Sequence, residues 1–253
     1  MGPRPDGGRA RQETPIPDQN ITVSVVMPTY NQRERTRRAA AEAARFLASL
    51  PGETPELVVV DDGSRPGAGT QASDLPEGTV FVGLPENLGK GGALREGVAR
   101  ARGDYIVVTD SDLPFSLTPL PTTLAWLRAD ADIVIGDRLL PESEYHVTVT
   151  PARRMSSAVY TFMVKGLCGL DLDDTQCGYK GYRGAVAKEL FAQLRTTSFA
   201  FEVELLIAAG RAGYRLRRQP LRLVHDDDSS VRLSQHAPRM IMDTLRIAWR
   251  SRR

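Results

Sequence analysis

Short, mostly apolar runs recur through the first half of this chain, and each gives way to a polar turn and then a helical stretch. They are Val23-Ser24-Val25-Val26-Met27, Glu56-Leu57-Val58-Val59-Val60, Thr79-Val80-Phe81-Val82, Tyr105-Ile106-Val107-Val108-Thr109 and Asp132-Ile133-Val134-Ile135. Runs this short that lack strict polar alternation suit strands covered on both faces, as in a parallel sheet. Helical spacing at 34–50, 92–102 and 117–129 supplies the crossovers. The expectation is an α/β fold: one Rossmann-like domain with a mostly parallel central sheet flanked by helices.

Beyond Pro141 the pattern reads as a helix (152–167), a glycine-rich strand-like stretch (177–183), two helices (185–194 and 199–212) and a strand (215–224). No Pro/Ser-rich linker and no internal repeat separates this part, so both halves are expected on one sheet. Residues 1–20 hold four prolines and three glycines without an apolar core, which predicts a disordered leader and not a signal peptide. The remainder, 21–253, reads as one domain. Its first half covers about 21–140 and its second half about 141–235, and a C-terminal amphipathic helix covers about 237–253.

Charge excludes little but not nothing. Lys and Arg number 33 against 31 Asp and Glu, a net charge of +2, too balanced to predict a nucleic-acid partner. No run of about 18 apolar residues is present to span a bilayer. Cys168 and Cys177 form neither a CxxC pair nor a disulfide framework, which points to a reducing compartment and to no metal role for either.

In open parallel sheets, ligands bind outside the carboxyl ends of the strands. Here those ends carry Met27-Pro28-Thr29-Tyr30-Asn31, Asp61-Asp62-Gly63-Ser64, Asp110-Ser111-Asp112 and Gly136-Asp137-Arg138. An Asp after a strand is ordinarily a turn former, but four such ends in register suggest a site. Two carboxylates two residues apart, Asp110 and Asp112, can converge on one hard cation, Mg²⁺ or Mn²⁺, together with a pyrophosphate. Such a cation stabilises a departing nucleoside diphosphate. The glycine-rich segment Asn87-Leu88-Gly89-Lys90-Gly91-Gly92 leads into a helix whose first N–H groups, with Lys90, suit an anion or close helix packing equally. Its spacing is not that of a Walker A loop.

Pro28-Thr29-Tyr30-Asn31, Asp61-Asp62-Gly63-Ser64, Asn87-Leu88-Gly89-Lys90-Gly91 and Gly103-Asp104-Tyr105 leading into Asp110-Ser111-Asp112 together resemble the ordered signature of family 2 glycosyltransferases with the GT-A fold. Asp174-Thr175-Gln176-Cys177-Gly178-Tyr179-Lys180 and Phe199-Ala200-Phe201-Glu202-Val203-Glu204 look like the branch of dolichyl-phosphate glucose and mannose synthases and bacterial polyprenyl-phosphate glycosyltransferases.

The resemblance implies inverting, metal-dependent transfer of a monosaccharide from a nucleotide sugar, UDP-glucose first, to a polyprenyl phosphate. It implies a donor-binding half at about 21–140 and an acceptor half at about 141–235, with Pro28, Thr29, Tyr30, Asn31, Asp62, Gly89, Lys90, Asp110, Ser111 and Asp112 holding the donor. Arg138 would face a phosphate, Asp174 would sit at the reaction centre, and Arg232 would contact the acceptor phosphate.

Asp174 is the first candidate base, with Glu202 and Glu204 behind it. Positions two apart on a helix face different ways, so those two should not act together. An ionised phosphate acceptor needs orientation more than deprotonation, which weakens any base assignment. His225, after the strand Leu221-Arg222-Leu223-Val224 and before Asp226-Asp227-Asp228, can complete a metal shell or belong to a solvated loop. The arginine-rich C-terminal helix suits either an anionic membrane surface or packing on the domain. The expected setting is cytoplasmic, with peripheral contact at the inner face of the membrane. The sequence leaves the oligomeric state open.

Three alternatives remain. A transferase of the same fold acting on a soluble small molecule fits the missing membrane segment. A nucleotidyltransferase normally opens with a glycine-rich loop where this chain has Pro28-Thr29-Tyr30-Asn31. A non-catalytic nucleotide-sugar-binding module would bind without turnover.

Overall fold

The computed structural model describes residues 20–144, 151–223 and 233–251, without the side chains of 151–154, 156 and 233–238. The elements follow in the order β1 (Val23–Thr29), α1 (Arg33–Ala48), β2 (Pro55–Asp61), β3 (Val80–Gly83), α2 (Lys90–Arg100), β4 (Tyr105–Val108), α3 (Leu120–Ala129), β5 (Ile133–Asp137), α4 (Pro151–Cys168), β6 (Lys180–Arg183), α5 (Gly184–Ala192), α6 (Phe201–Arg211), β7 (Leu216–Pro220) and α7 (Leu233–Ser251).

One seven-stranded sheet runs β3-β2-β1-β4-β6-β5-β7. β1 pairs in parallel with β2 and β4, β2 with β3, and β5 with β7, while β6 is antiparallel to both β4 and β5. The expected single α/β domain with a mostly parallel sheet is what the chain forms, and the second half joins the same sheet through β6 and β7, which pair with β4 and β5.

Alternation along the strands explains the apolar runs. Val26, Val58, Val60, Ile106 and Val108 pack on one face against Leu94 and Val98 of α2, Phe191 of α5 and Phe201 of α6. Val25, Met27, Val59 and Val107 pack on the other against Ala40 and Ala43 of α1 and Leu120 and Leu124 of α3. With both faces covered, both sets of alternate residues are mostly apolar, and the polar exceptions Ser24 and Glu56 satisfy each other by a buried hydrogen bond. A smaller cluster of Val164, Ala200, Val203 and Ile247 ties α4, α6 and α7 together beside the sheet.

Two elements differ from the sequence expectation. The last strand is shorter than 215–224: β7 ends at Pro220, which cannot donate a ladder hydrogen bond, and an isolated bridge joins Glu144 to Arg222 beyond it. The glycine-rich stretch from Cys177 becomes a strand only from Lys180, where its pairing with Val108 of β4 and Ile135 of β5 begins. Among the described residues no helix is long and apolar enough to cross a membrane. Residues 1–19 of the expected leader, His225 and Arg232 lie outside the described residues, as do the segments 145–150 and 224–232 of the second half and residues 252–253.

Candidate active site

β1, β2 and β4 run parallel and adjacent, so their carboxyl ends deliver Thr29, Asp61 and Thr109 to one edge of the sheet. A cleft of about 690 Å³ opens there, within the size range of small-molecule sites. Its lining includes every residue expected at the donor: Pro28, Thr29, Tyr30, Asn31, Asp62, Gly89, Lys90, Asp110, Ser111 and Asp112. The fold thus brings together four chain segments that the sequence shows only as separate motifs.

Asp61 and Asp62 do different work although they are adjacent. Asp61 accepts from the backbone N–H groups of Ser64 and Thr70, and so shapes the turn after β2. Asp62 accepts from the N–H groups of Leu88 and Gly89 at 2.8 and 2.9 Å and from the Asn87 side-chain amide at 3.0 Å. It therefore pins the glycine-rich loop under the cleft. Burial raises its carboxyl, and the two backbone hydrogen bonds only partly offset that. Gly89 caps α2 at φ 86, and a Cβ there would lie 2.6 Å from the Thr197 carbonyl oxygen, so only glycine serves both the turn and the close approach.

The Asp110-Ser111-Asp112 turn sits among cations. Lys90 Nζ lies 2.8 Å from Asp110 Oδ1 and 3.6 Å from Glu202 Oε1. Burial acts to lower Lys90 and to raise Asp110, but their mutual attraction outweighs it, leaving the lysine raised and the aspartate lowered. A Cβ on Gly178 would strike the Asp110 carboxylate, so glycine leaves that carboxylate its space.

Asp112 is different. Burial and the neighbouring Asp110 charge raise its carboxyl against the pull of Arg35, 3.4 Å away. Its Oδ1 is buried without a hydrogen-bond partner. A buried carboxylate oxygen left unmatched beside a second carboxylate is the donor set a hard divalent cation takes. Among the described residues no third carboxylate, histidine or cysteine joins the two into a metal cluster, so further ligands would have to come from a bound ligand, water or the undescribed segment that holds His225.

Arg138, at the end of β5, forms a two-pronged pair with Asp174: Nε to Oδ2 and Nη2 to Oδ1, both 2.7 Å, with the Arg138 N–H also donating to Oδ2 at 3.0 Å. Burial would raise Asp174, but Arg138 outweighs it and holds the carboxyl below its ordinary value. Glu202, buried near the start of α6, meets Lys180 Nζ at 3.0 Å as well as Lys90. Lys180 also donates to the Cys177 carbonyl. Glu204 faces elsewhere, accepting from the Thr196 N–H at 2.7 Å, with Arg250 3.9 Å away.

Several participants escaped the sequence reading as site residues. Gln32, Asn87, Leu88, Ser198, Phe199 and Arg239 line the cleft, and Lys180 lies beneath it. Lys180 left one signal: a lysine at the start of a buried strand, 2% exposed, must have a counter-charge.

The model of the glycosyl transferase family 2 matches residues 24–191. Glycosyltransferase AglD of Haloferax volcanii is 28% identical over 235 residues, which is 90% of this chain and 37% of that protein. A dolichyl-phosphate beta-glucosyltransferase of Homo sapiens is 31% identical over 209 residues, 74% of this chain and 62% of that protein. The chain thus spans less than two thirds of the length of either. Among solved structures, glucosyl-3-phosphoglycerate synthase from Mycobacterium tuberculosis, in complex with Mn²⁺, UDP and phosphoglyceric acid, superposes with a TM-score of 0.65 at 21% identity, covering 90% of this chain and 78% of that one. The fold is shared with a GT-A glycosyltransferase.

Proposed function

This chain belongs to the family 2 glycosyltransferases, and from that membership we propose that it moves glucose from UDP-glucose to a polyprenyl phosphate, with inversion and with the help of Mg²⁺ or Mn²⁺. The observation that carries the donor half is the unmatched buried oxygen of Asp112 beside Asp110, in a cleft floored by the glycine-rich loop. The acceptor half rests on the dolichyl-phosphate beta-glucosyltransferases among the relatives. UDP and Mn²⁺ are named with the superposed synthase.

Asp110 and Asp112 would hold the cation, whose charge stabilises the nucleoside diphosphate as it departs. Lys90 is placed to leave Asp110 for a diphosphate oxygen, a short move for a side chain already 2.8 Å from the carboxylate. Asp62, by fixing the loop at Leu88 and Gly89, sets the floor against which the nucleoside lies. Tyr30, 41% exposed at the cleft rim, supplies a ring face for the base.

A phosphate monoester is ionised at neutral pH and attacks without a general base, so orientation is the main requirement. Arg138 suits that task, because Asp174 locks its guanidinium in plane. The lowered carboxyl of Asp174 is a weak proton acceptor, which favours a positioning part for it over proton abstraction. Glu202, held by two lysines, is placed to support Lys90, and Glu204 lies on the side away from it. His225 keeps the metal assignment suggested by its place between a strand and an acidic run, and Arg232 keeps the acceptor-phosphate assignment that the family resemblance implies.

The test is transfer of labelled glucose from UDP-glucose to detergent-dispersed polyprenyl phosphate, followed by organic extraction. The expected result is label in the organic phase with Mn²⁺ or Mg²⁺ and none with EDTA. Label found only on a water-soluble acceptor would replace the lipid acceptor with a small molecule. Hydrolysis and transfer both absent, with UDP-glucose bound, would make this a binding module.

A further inference from the structure

Helices α4 and α7 lie side by side, joined by the hydroxyls of Tyr160 and Thr244 at 3.1 Å and by the cluster that Val164 and Ile247 share. Their outward faces are apolar. On α4, Met155, Val159 and Phe162 follow at i, i+4 and i+7, one stripe of a helix, and Phe162 is 80% exposed. On α7, Ile241, Leu245 and Trp249 follow at intervals of four, with Met242 beside them. Of the nine large hydrophobics exposed among the described residues, only Tyr30 and Leu139 lie elsewhere. Scattered exposed hydrophobics need no explanation, but this concentration on two adjacent helices does.

The neighbouring stripe of α7 is basic. Arg239, Arg246 and Arg250, with Arg195, line a shallow depression beside Trp249. Asp243 is the acidic residue there, only 14% exposed and already bound by Ser198 and Arg246. Arg250 is held by Thr196 and Glu204. Arg239 and Arg246 stay 71% and 67% exposed, so the charge presented outward is positive. This surface adjoins the active cleft, since Arg239 lines both.

Resting on the lipid-acceptor reading above, we infer that the outer faces of α4 and α7 dock on an anionic bilayer surface and so present the cleft to acceptors held in it. The apolar stripes enter the boundary between headgroups and acyl chains, Trp249 sits at headgroup level, and the arginines meet lipid phosphates. A second copy of the chain is the competing occupant. A two-fold dimer through this face brings the arginine stripe toward its own copy, whereas anionic headgroups complement it.

The test is flotation of the full chain with vesicles of phosphatidylcholine alone or with phosphatidylglycerol. Binding is expected to the anionic vesicles and to weaken as salt shortens the screening length. Arg246→Ser should weaken it about five-fold, and Phe162→Ser about ten-fold or more. Both variants should keep wild-type transfer to detergent-dispersed acceptor, because neither side chain lines the cleft. Failure to float with anionic vesicles, with transfer in detergent intact, overturns the docking surface and leaves the proposed reaction standing. A dimer in solution that Phe162→Ser dissociates, without vesicle binding, assigns the face to a second copy and also overturns it. Normal vesicle binding without transfer to any lipid phosphate supports the surface and refutes the acceptor.

Discussion

Replacing Lys180 with Met tests whether the charges under the cleft act as one unit. Lys90, Lys180, Asp110 and Glu202 form two cations and two anions in contact, with Lys180 and Glu202 each under 5% exposed. At the 3.0 Å separation of Lys180 and Glu202, attraction at an effective dielectric of about 20 is roughly 5 kcal/mol. Most of that offsets the desolvation of both ions, so the pair itself adds little net stability. Breaking it is another matter. Met leaves Glu202 with only Lys90 at 3.6 Å and leaves the cluster one charge short, and uncompensated buried charges of this kind cost about 3–5 kcal/mol. Urea unfolding at neutral pH should show that loss as a fall in midpoint without a change in slope. Adding Glu202→Gln to Lys180→Met removes the orphaned charge and should recover more than half of the loss. A single variant within about 1 kcal/mol of the parent, or a double variant no better than the single, would refute the reasoning.

Other perturbations probe the remaining parts of the site. Asp174 has a folded value below its ordinary 3.8. Its contribution is therefore present above the unfolded value and is lost as pH falls through the folded one. The stability gap between the parent and Asp174→Asn should be constant near neutrality and close in acid; a gap that widens in acid would contradict the Arg138 pairing. Burial pushes the Cys177 thiol up to about 12. Iodoacetamide in mildly alkaline buffer should therefore modify the half-buried Cys168 in the folded protein and reach Cys177 only after unfolding, as peptide mass mapping would show. Gly89→Ala forces a side chain onto a φ of 86 and against the Thr197 carbonyl. Thermal or urea unfolding should show a loss of roughly 1–3 kcal/mol, and UDP affinity should fall with it.

The parts of this molecule that were legible in the sequence are those governed by local pattern. Val25, Val26 and Met27 announce a strand buried on both faces, and Gly89 announces a turn before a helix, because burial and backbone sterics act on a few neighbouring residues. The convergence of Thr29, Asp62, Gly89 and Asp112 on one cleft follows once parallel strands are assumed, since their carboxyl ends then share an edge. The insertion of β6 between β4 and β5 in the opposite sense was not legible: its partners lie 45 or more residues away, and nothing in Lys180-Gly181-Tyr182-Arg183 records direction.

Side-chain pairing was equally hidden. Asp174 stands out in its motif, but only the fold shows that Arg138, 36 residues earlier, takes both of its oxygens. Lys180 and Glu202 sit on a strand and a helix whose mutual approach is set by packing of Phe201 and Leu205 against the sheet. β7 was read too long because Leu221 and Leu223 continue an apolar alternation past Pro220, where the ladder stops.

On the proposed reading, the cleft at the ends of β1, β2 and β4 holds a nucleoside diphosphate through a cation on Asp110 and Asp112. The decisive experiment is calorimetric titration of UDP into the full chain, with Mn²⁺ and with EDTA, for the parent and for Asp112→Asn. Binding should require Mn²⁺ in the parent and be lost, or weakened about a hundred-fold or more, in Asp112→Asn, as removal of a charged ligand in a buried site entails. UDP binding of equal strength in EDTA and in Asp112→Asn would contradict it.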